Sequence, residues 1–387
     1  MTVRKIIICL SLWPFFSFLG ARERNDSSCF ELHGYLSSMQ SGNNMQNGDW
    51  LLSNYLHNRL NFGWYLPGNF IAVAEMRNRF LFGDMIRLDP ETYARSYDRD
   101  YGVADMSVNL TKGNSYLFNV AVDRLYLFYR NGKWDITVGR QRINWGNTFV
   151  WNPNDIFNAY SFFDFDYIER PGSDAVRIQY YVTETSEAEV AAKADASNNI
   201  TAAGLYRFTV AGADVQFLGG FLSSADYVAG AGFSGHAGQV ALRGEATFLH
   251  PFRNLQDTSG MVIVSAEADY TFENNLTLQG EYLFHQKPGI DFNRFVTLYN
   301  TRLDVKTLSF VKHNFFLQAG YPFTPLLKGT LAGMVFPQFK GFYLGPSFTY
   351  SLSDNLDFSF LVQAFSLELN GEHKAVTLAY MRLKLNF

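Results

Sequence analysis

Seven arginines and four carboxylates are the residues of this 387-residue chain best placed to act on a solute. Arg77 and Arg79 stand two apart, and so do Arg140 and Arg142, a spacing that in a β-strand sends both guanidinium groups to one face. Arg59, Arg124 and Arg177 recur in segments of the same texture. Asp155, Asp164, Asp166 and Glu169 crowd one stretch between Arg142 and Arg177. A guanidinium stays charged and grips carboxylate or phosphate through paired N–H donors. Arginines on one wall with carboxylates across from them would form a charged constriction, a device for choosing ions rather than for breaking bonds.

Catalysis would need a nucleophile, a base and an orienting group within hydrogen-bond reach. His33, His57, His236, His250, His285, His313 and His373 are scattered, and none stands beside a Ser or Asp in a recognisable motif; His57 with Asp49 is the nearest approach. Metal spacing is missing too, because there is no H-x-x-x-H, and "DPETYARSYDRD" from Asp89 lacks the glycine and spacing of a calcium loop. The sequence predicts no enzyme, no metal and no cofactor.

The elements that would position these residues are strands. The first 21 residues, "MTVRK" followed by the apolar "IIICLSLWPFFSFLG" and Ala21, have the form of a secretory signal peptide. Cys9 would leave with it, so Cys29 would have no partner and the fold could not rest on a disulfide. Removing Arg4 and Lys5 from 32 basic residues set against 36 acidic ones leaves a mature charge of about −6, no footprint for nucleic acid. Phe (37) and Tyr (22) are abundant, yet mean hydropathy is only −0.10, so apolar and polar residues must interleave. No linker or charge block divides residues 22–387, which read as one domain.

Alternation with period two recurs throughout. Leu276, Leu278, Tyr282 and Phe284 share one face against Asn275, Thr277, Gln279 and Glu281, and Leu356, Phe358, Phe360 and Val362 oppose Asn355, Asp357, Ser359 and Gln363. About eighteen such segments are expected, beginning near residues 30, 51, 69, 117, 133, 173, 187, 200, 212, 225, 238, 261, 274, 309, 327, 341, 355 and 375, with sixteen the alternative count. Tight turns follow the even segments and longer connections tend to follow the odd ones, among them about twelve residues after Met39 and about thirty each after Gly83 and Ile143. Sorted loops and an even count describe a transmembrane antiparallel β-barrel of Gram-negative outer-membrane type, closed so that no backbone edge meets lipid. The ending "LAYMRLKLNF" resembles the closing strand of bacterial outer-membrane barrels. That resemblance makes Phe387, Leu385 and Leu383, with Met381, both a lipid-facing file and a signal for the barrel-assembly machinery.

With the apolar file outward, the polar file lines the lumen. Leu56, Leu60, Phe62, Trp64 and Leu66 turn out and His57, Arg59 and Asn61 turn in; Phe70, Ala72, Ala74 and Met76 turn out and Glu75, Arg77 and Arg79 turn in; Arg124 and Arg177 point inward from later strands. Glu245, Glu267, Asp269 and Glu281 give the second half a more acidic wall. Strict parity from Trp134, Ile136 and Val138 would send Arg140 and Arg142 into lipid, so either a bulge at Gly139 reverses them or they stand above the membrane; the bulge is favoured. The long, aromatic connection that follows is expected to fold into the barrel, burying its rings and setting its carboxylates across from the arginines.

This stretch resembles the alginate-export and related outer-membrane porin groups, in which a strand ending G-[RK]-Q-x-x-x-W-G leads to a loop with N-P-x-D; here these are Gly139, Arg140, Gln141, Trp145, Gly146, Asn152, Pro153 and Asp155. The resemblance implies a passive channel narrowed by an inward loop, for small polar or anionic solutes. The acidic second wall argues against polymer export. A surface-exposed adhesin or ligand-binding barrel without a significant pore is the alternative, resting on the charged segment 87–105, which reads as a solvated extracellular surface. A homo-oligomer is compatible with either.

Overall fold

The computed structural model describes residues 29–45, 48–165, 169–170, 172–253, 259–289, 303–369 and 371–387. The signal peptide expected over 1–21 lies outside them. Alternating polar and apolar residues form antiparallel strands in chain order: β1 (Phe30–Met45), β2 (Leu51–Leu66), β3 (Phe70–Gly83), β4 (Ser107–Lys112), β5 (Tyr116–Asn131), β6 (Trp134–Gln141), β7 (Ser173–Thr183), β8 (Ser186–Ala194), β9 (Ile200–Val210) and β10 (Ala213–Leu222). The second half supplies β11 (Asp226–Ala237), β12 (Val240–Pro251), β13 (Met261–Thr271), β14 (Thr277–His285), β15 (His313–Pro322), β16 (Leu327–Phe336), β17 (Gly341–Ser353), β18 (Leu356–Leu369) and β19 (Glu372–Asn386).

Each strand pairs with its chain neighbour, except that β3 pairs directly with β5, and β19 returns to β1 from Tyr35↔Asn386 to Met45↔Val376. Eighteen staves therefore close a barrel, and β4 is a short addition on the edge of β5 beyond the end of β6. The turns after β2, β5, β7 and β9 are tight, and the connections after β3, β6 and β14 are long. The connection of about twelve residues expected after Met39 is shorter, since β1 ends at Met45 and β2 begins at Leu51. β1 runs on to Met45 because Ser41 and Asn43, polar enough to suggest a loop, are buried on its lumen face.

The outer face is apolar and carries aromatic rings at both ends, as a barrel with two interfaces requires. Trp64, Trp134, Phe348 and Tyr350 lie near the tight turns of one end, and Phe82, Tyr116, Phe221, Tyr227 and Phe248 at the end that carries the long connections, all well exposed. Leu60 and Met76 follow the outward parity but are buried, under a local cluster with Val120 and Val122.

The segment after β3 is folded rather than simply solvated. Helix α1 (Asp84–Leu88) is followed by α2 (Pro90–Asp98), whose N-cap Asp89 accepts the Thr92 N–H at 3.0 Å, a bond that holds its carboxyl below the ordinary value. Ala94 and Tyr97 are buried in a cluster with Leu81, Ile86 and Leu117, and Asn119 donates to the Tyr97 carbonyl at 3.0 Å and Asn109 to that of Ala94 at 2.6 Å.

Candidate functional site

The connection between β6 and β7 enters the lumen, and the acidic strands hold it by its backbone. Glu245 on β12 accepts the N–H groups of Asn147, Thr148 (3.0 Å) and Asn154 (2.8 Å). Glu267 on β13 accepts that of Phe149 at 2.8 Å, and Glu281 on β14 those of Val150 at 2.7 Å and Trp151 at 2.9 Å. These carboxylates replace the partners a loop would otherwise find in water. The second wall is thus a clamp on main-chain amides. Trp145, Trp151 and Phe157 are buried beneath it, and Trp145 donates its indole N–H to Glu189 at 2.7 Å.

The remainder of the loop crosses to the far wall. Gln363 on β18 donates to the Phe163 carbonyl at 3.1 Å, and Arg382 on β19 donates to that of Phe165 at 3.4 Å. Phe162 stands edge-on to Phe316 (5.1 Å between centroids), Phe163 to Tyr343 (5.0 Å), and the Arg382 guanidinium lies 4.4 Å from the Phe165 ring centre.

The arginines are bound into their own wall more than they stand free. Arg59, 1% exposed, bonds Asp123 at 2.5 Å and also Glu75, and Arg77 reaches the other oxygen of Asp123 at 3.1 Å. Asp123 owes its place to a bulge on β5, where Glu75 pairs with Arg124 but Met76 with Val122. Arg79 donates to Asn119 at 2.7 Å and lies 4.5 Å from the Tyr97 ring centre. Arg124 donates to the carbonyls of Glu169 (2.9 Å) and Arg170 (2.8 Å), tying down the loop's end, and Arg177 makes a two-pronged pair with Glu189 at 2.7 Å on each prong.

No bulge reverses Arg140, since the registers of β6 with both β5 and β7 run through Gly139 without a shift. Instead Gly139 takes φ +120°, where a Cβ would come within 2.3 Å of the Leu125 carbonyl oxygen. Arg140 is buried at the notch between β6 and β4, bonded to Asp174 and Asp100 at 2.6 Å each and to the Ala104 carbonyl at 2.7 Å. Arg142 is half-buried, and its charge acts on Asp155.

The loop carboxylates have separate fates. Asp155 is fully buried inside the loop and accepts the Asn158 N–H at 3.2 Å. Burial pushes its carboxyl up to about 6, against the pull of that N–H and of Arg142, Lys193 and Arg170. Asp164 lines the open part of the lumen, and the Glu169 charge acts on Arg59 and Lys384. Asp166 lies outside the described residues.

Beside the loop remains a cavity of about 640 Å³. Arg77, Arg79 and Arg140 contribute to one side of it, and Tyr343, Gln363 and Tyr380 to another. Sequence parity pointed to Arg77 and Arg79 and would have sent Arg140 outward. It put Gln363 and Arg382 on the lumen side without a role and missed Asp123 and Asp174, because these roles come from contacts distant along the chain. Among the described residues no three His, Cys, Asp or Glu gather as a metal site would require. On the outer face, Phe387, Leu385, Leu383 and Met381 are all exposed.

A family model described as "Protein of unknown function (DUF1302)" matches residues 87–377. No curated protein matches the chain. Among solved structures, it resembles Acinetobacter baumannii OccAB4 at 9% identity and TM-score 0.59, covering 94% of this chain and 100% of that one. Pseudomonas aeruginosa OccK11 (OpdR) follows at 8% identity and TM-score 0.58, covering 92% and 96%, and the outer membrane protein OpdK of the same organism at 9% and 0.53, covering 92% and 99%. The alginate-export likeness finds no counterpart among these. The chain belongs to the DUF1302 family, of unknown function, and has the barrel fold of the Occ and Opd outer-membrane porins.

Proposed function

We propose that the protein is an outer-membrane channel for passive diffusion of small polar or anionic solutes. The observation that carries this reading is the 640 Å³ cavity left beside the inward loop, with arginines on its wall. The loop narrows the lumen, and its clamp of buried glutamates keeps the narrowing in place. On this reading Arg77 and Arg79 are the anion-attracting face, with Arg140 near its rim and Asp164 on the loop side. Arg59, Arg124 and Arg177 serve mainly as struts that hold the pore's shape, and Asp155 holds the loop's fold.

Planar-bilayer recording of the purified protein tests it. Discrete conductance steps with anion preference are expected, and the double variant Arg77→Glu with Arg79→Glu should move the reversal potential towards cations. Absence of any step would remove the channel, and an unmoved reversal potential would remove these two arginines from its selectivity.

A further inference from the structure

Arg59, Arg77, Arg140 and Arg177 each hold a carboxylate. Arg170, at the end of the inward loop, holds none among the described residues, although it borders the cavity half-buried. The charges of Asp155 and Arg142 act on it with opposite sign. Its backbone is fixed, because Arg124 donates to its carbonyl at 2.8 Å, and its guanidinium lies over the Tyr160 ring. Tyr160 is fixed in turn: its hydroxyl donates to the Phe149 carbonyl at 2.9 Å and accepts from Asn152 at 3.0 Å. Phe149 completes this chain of contacts. Its N–H is held by Glu267, yet its ring borders the cavity 40% exposed, with Phe162 at 5.8 Å and Phe316 at 6.0 Å between centroids.

We infer that Arg170, Tyr160, Phe149 and Phe162 form a binding station on the loop for an organic anion with an apolar ring, its charged group on Arg170 and its ring against Phe149 and Phe162. This rests on the channel reading given above and names the kind of solute the channel selects. All four residues border the one cavity, so a single solute held there can reach both ends of the station. A guanidinium with no carboxylate to neutralise it favours an anion, and carboxylate, sulfate and sulfonate groups all accept its N–H donors. A phenyl ring left 40% exposed gains from apolar cover, and a flat group meets it edge-on or offset-stacked. The glutamate clamp holds Phe149 and the Arg124 bond holds Arg170, so the two ends keep their spacing before a solute arrives. Arg77 and Arg79 then attract anions in general, and this station selects among them by the apolar body they carry.

The experiment is single-channel recording of the full chain in planar bilayers in potassium chloride, with sodium naphthalenesulfonate or sodium methanesulfonate added to one side. Wild type is compared with Arg170→Gln and Phe149→Ala, each first shown to be a folded barrel by heat-modifiable mobility on gels; Arg170→Met and Phe149→Leu stand in for a variant that does not fold. In wild type, naphthalenesulfonate should interrupt the chloride current at a concentration several-fold below that of methanesulfonate. Arg170→Gln should raise the half-blocking concentration of both anions several-fold, whereas Phe149→Ala should raise that of naphthalenesulfonate alone. Equal half-blocking concentrations of the two anions in wild type, or a naphthalenesulfonate block that either variant leaves unaltered, overturns the station and leaves the channel standing. A wild type that conducts nothing removes the channel reading and the station with it.

Discussion

The Glu281 carboxylate accepts the backbone N–H of Trp151 at 2.9 Å, across a sequence separation of 130 residues. Its other oxygen takes Val150 N–H at 2.7 Å, and Ser265 donates at 2.8 Å to the oxygen that takes Trp151, so this one side chain satisfies two buried amides of the loop. Glu281→Ala would leave both amides without a partner, at about 1–3 kcal/mol each. The loop should loosen while the barrel stays closed. Limited chymotrypsin digestion of the folded variant should cut after Phe157, buried beneath the clamp, faster than in wild type, and an unchanged rate would show that the clamp does not hold the loop.

Asp155 gives the loop a pH dependence whose sign follows from burial. Its carboxyl rises from 3.8 to about 6 on folding, so the unfolded loop releases the proton first. The stability it contributes is fully present below pH 3.8 and is lost as pH rises through about 6. Hydrogen exchange of amides 154–158, corrected for intrinsic rates, should show more protection at about pH 4 than at about pH 7. Asp155→Asn, which cannot ionise, should flatten that difference. A dependence that persists unaltered in the variant would assign it to another group.

The barrel was legible because its rule is local. A period of two, broken by turns, placed β1, β2, β7, β9, β13, β16 and β17 where they begin. Roles inside the lumen were less legible because they depend on distant residues. Arg59 looked like an open pore charge until Asp123, 64 residues on, met it through a bulge. That bulge is hard to read, since Val120 and Val122 alternate as well as Leu125 and Leu127 do, and one extra residue between them leaves both files intact. The acidic strands were recognised as inward, yet nothing in their own sequence says that their partners are main-chain amides about 90 to 130 residues away. Gln363 and Arg382 reach the loop over 200 and 217 residues, beyond any motif.

The last residue carries a prediction about assembly rather than transport. Phe387 closes the seam, donating its N–H to the Gly34 carbonyl at 3.0 Å and accepting the Gly34 N–H at 2.8 Å. Position 34 must stay small, because a Cβ there would come within 2.1 Å of the Arg59 carbonyl oxygen and 3.2 Å of the Phe387 ring. That ring is itself 52% exposed on the apolar outer face, continuous with Leu385 and Leu383. Deleting Phe387 removes the final rung between β19 and β1 and the end of the outward file, leaving backbone edge at the closure. Heat-modifiable barrel in the outer-membrane fraction should fall several-fold, while conductance per folded channel stays at the wild-type value. Phe387→Tyr, which keeps the rung and a ring, should assemble at near wild-type level. Normal membrane levels of the deletion variant would contradict the role given to this residue, and a loss of conductance without a loss of barrel would place it in the pore instead.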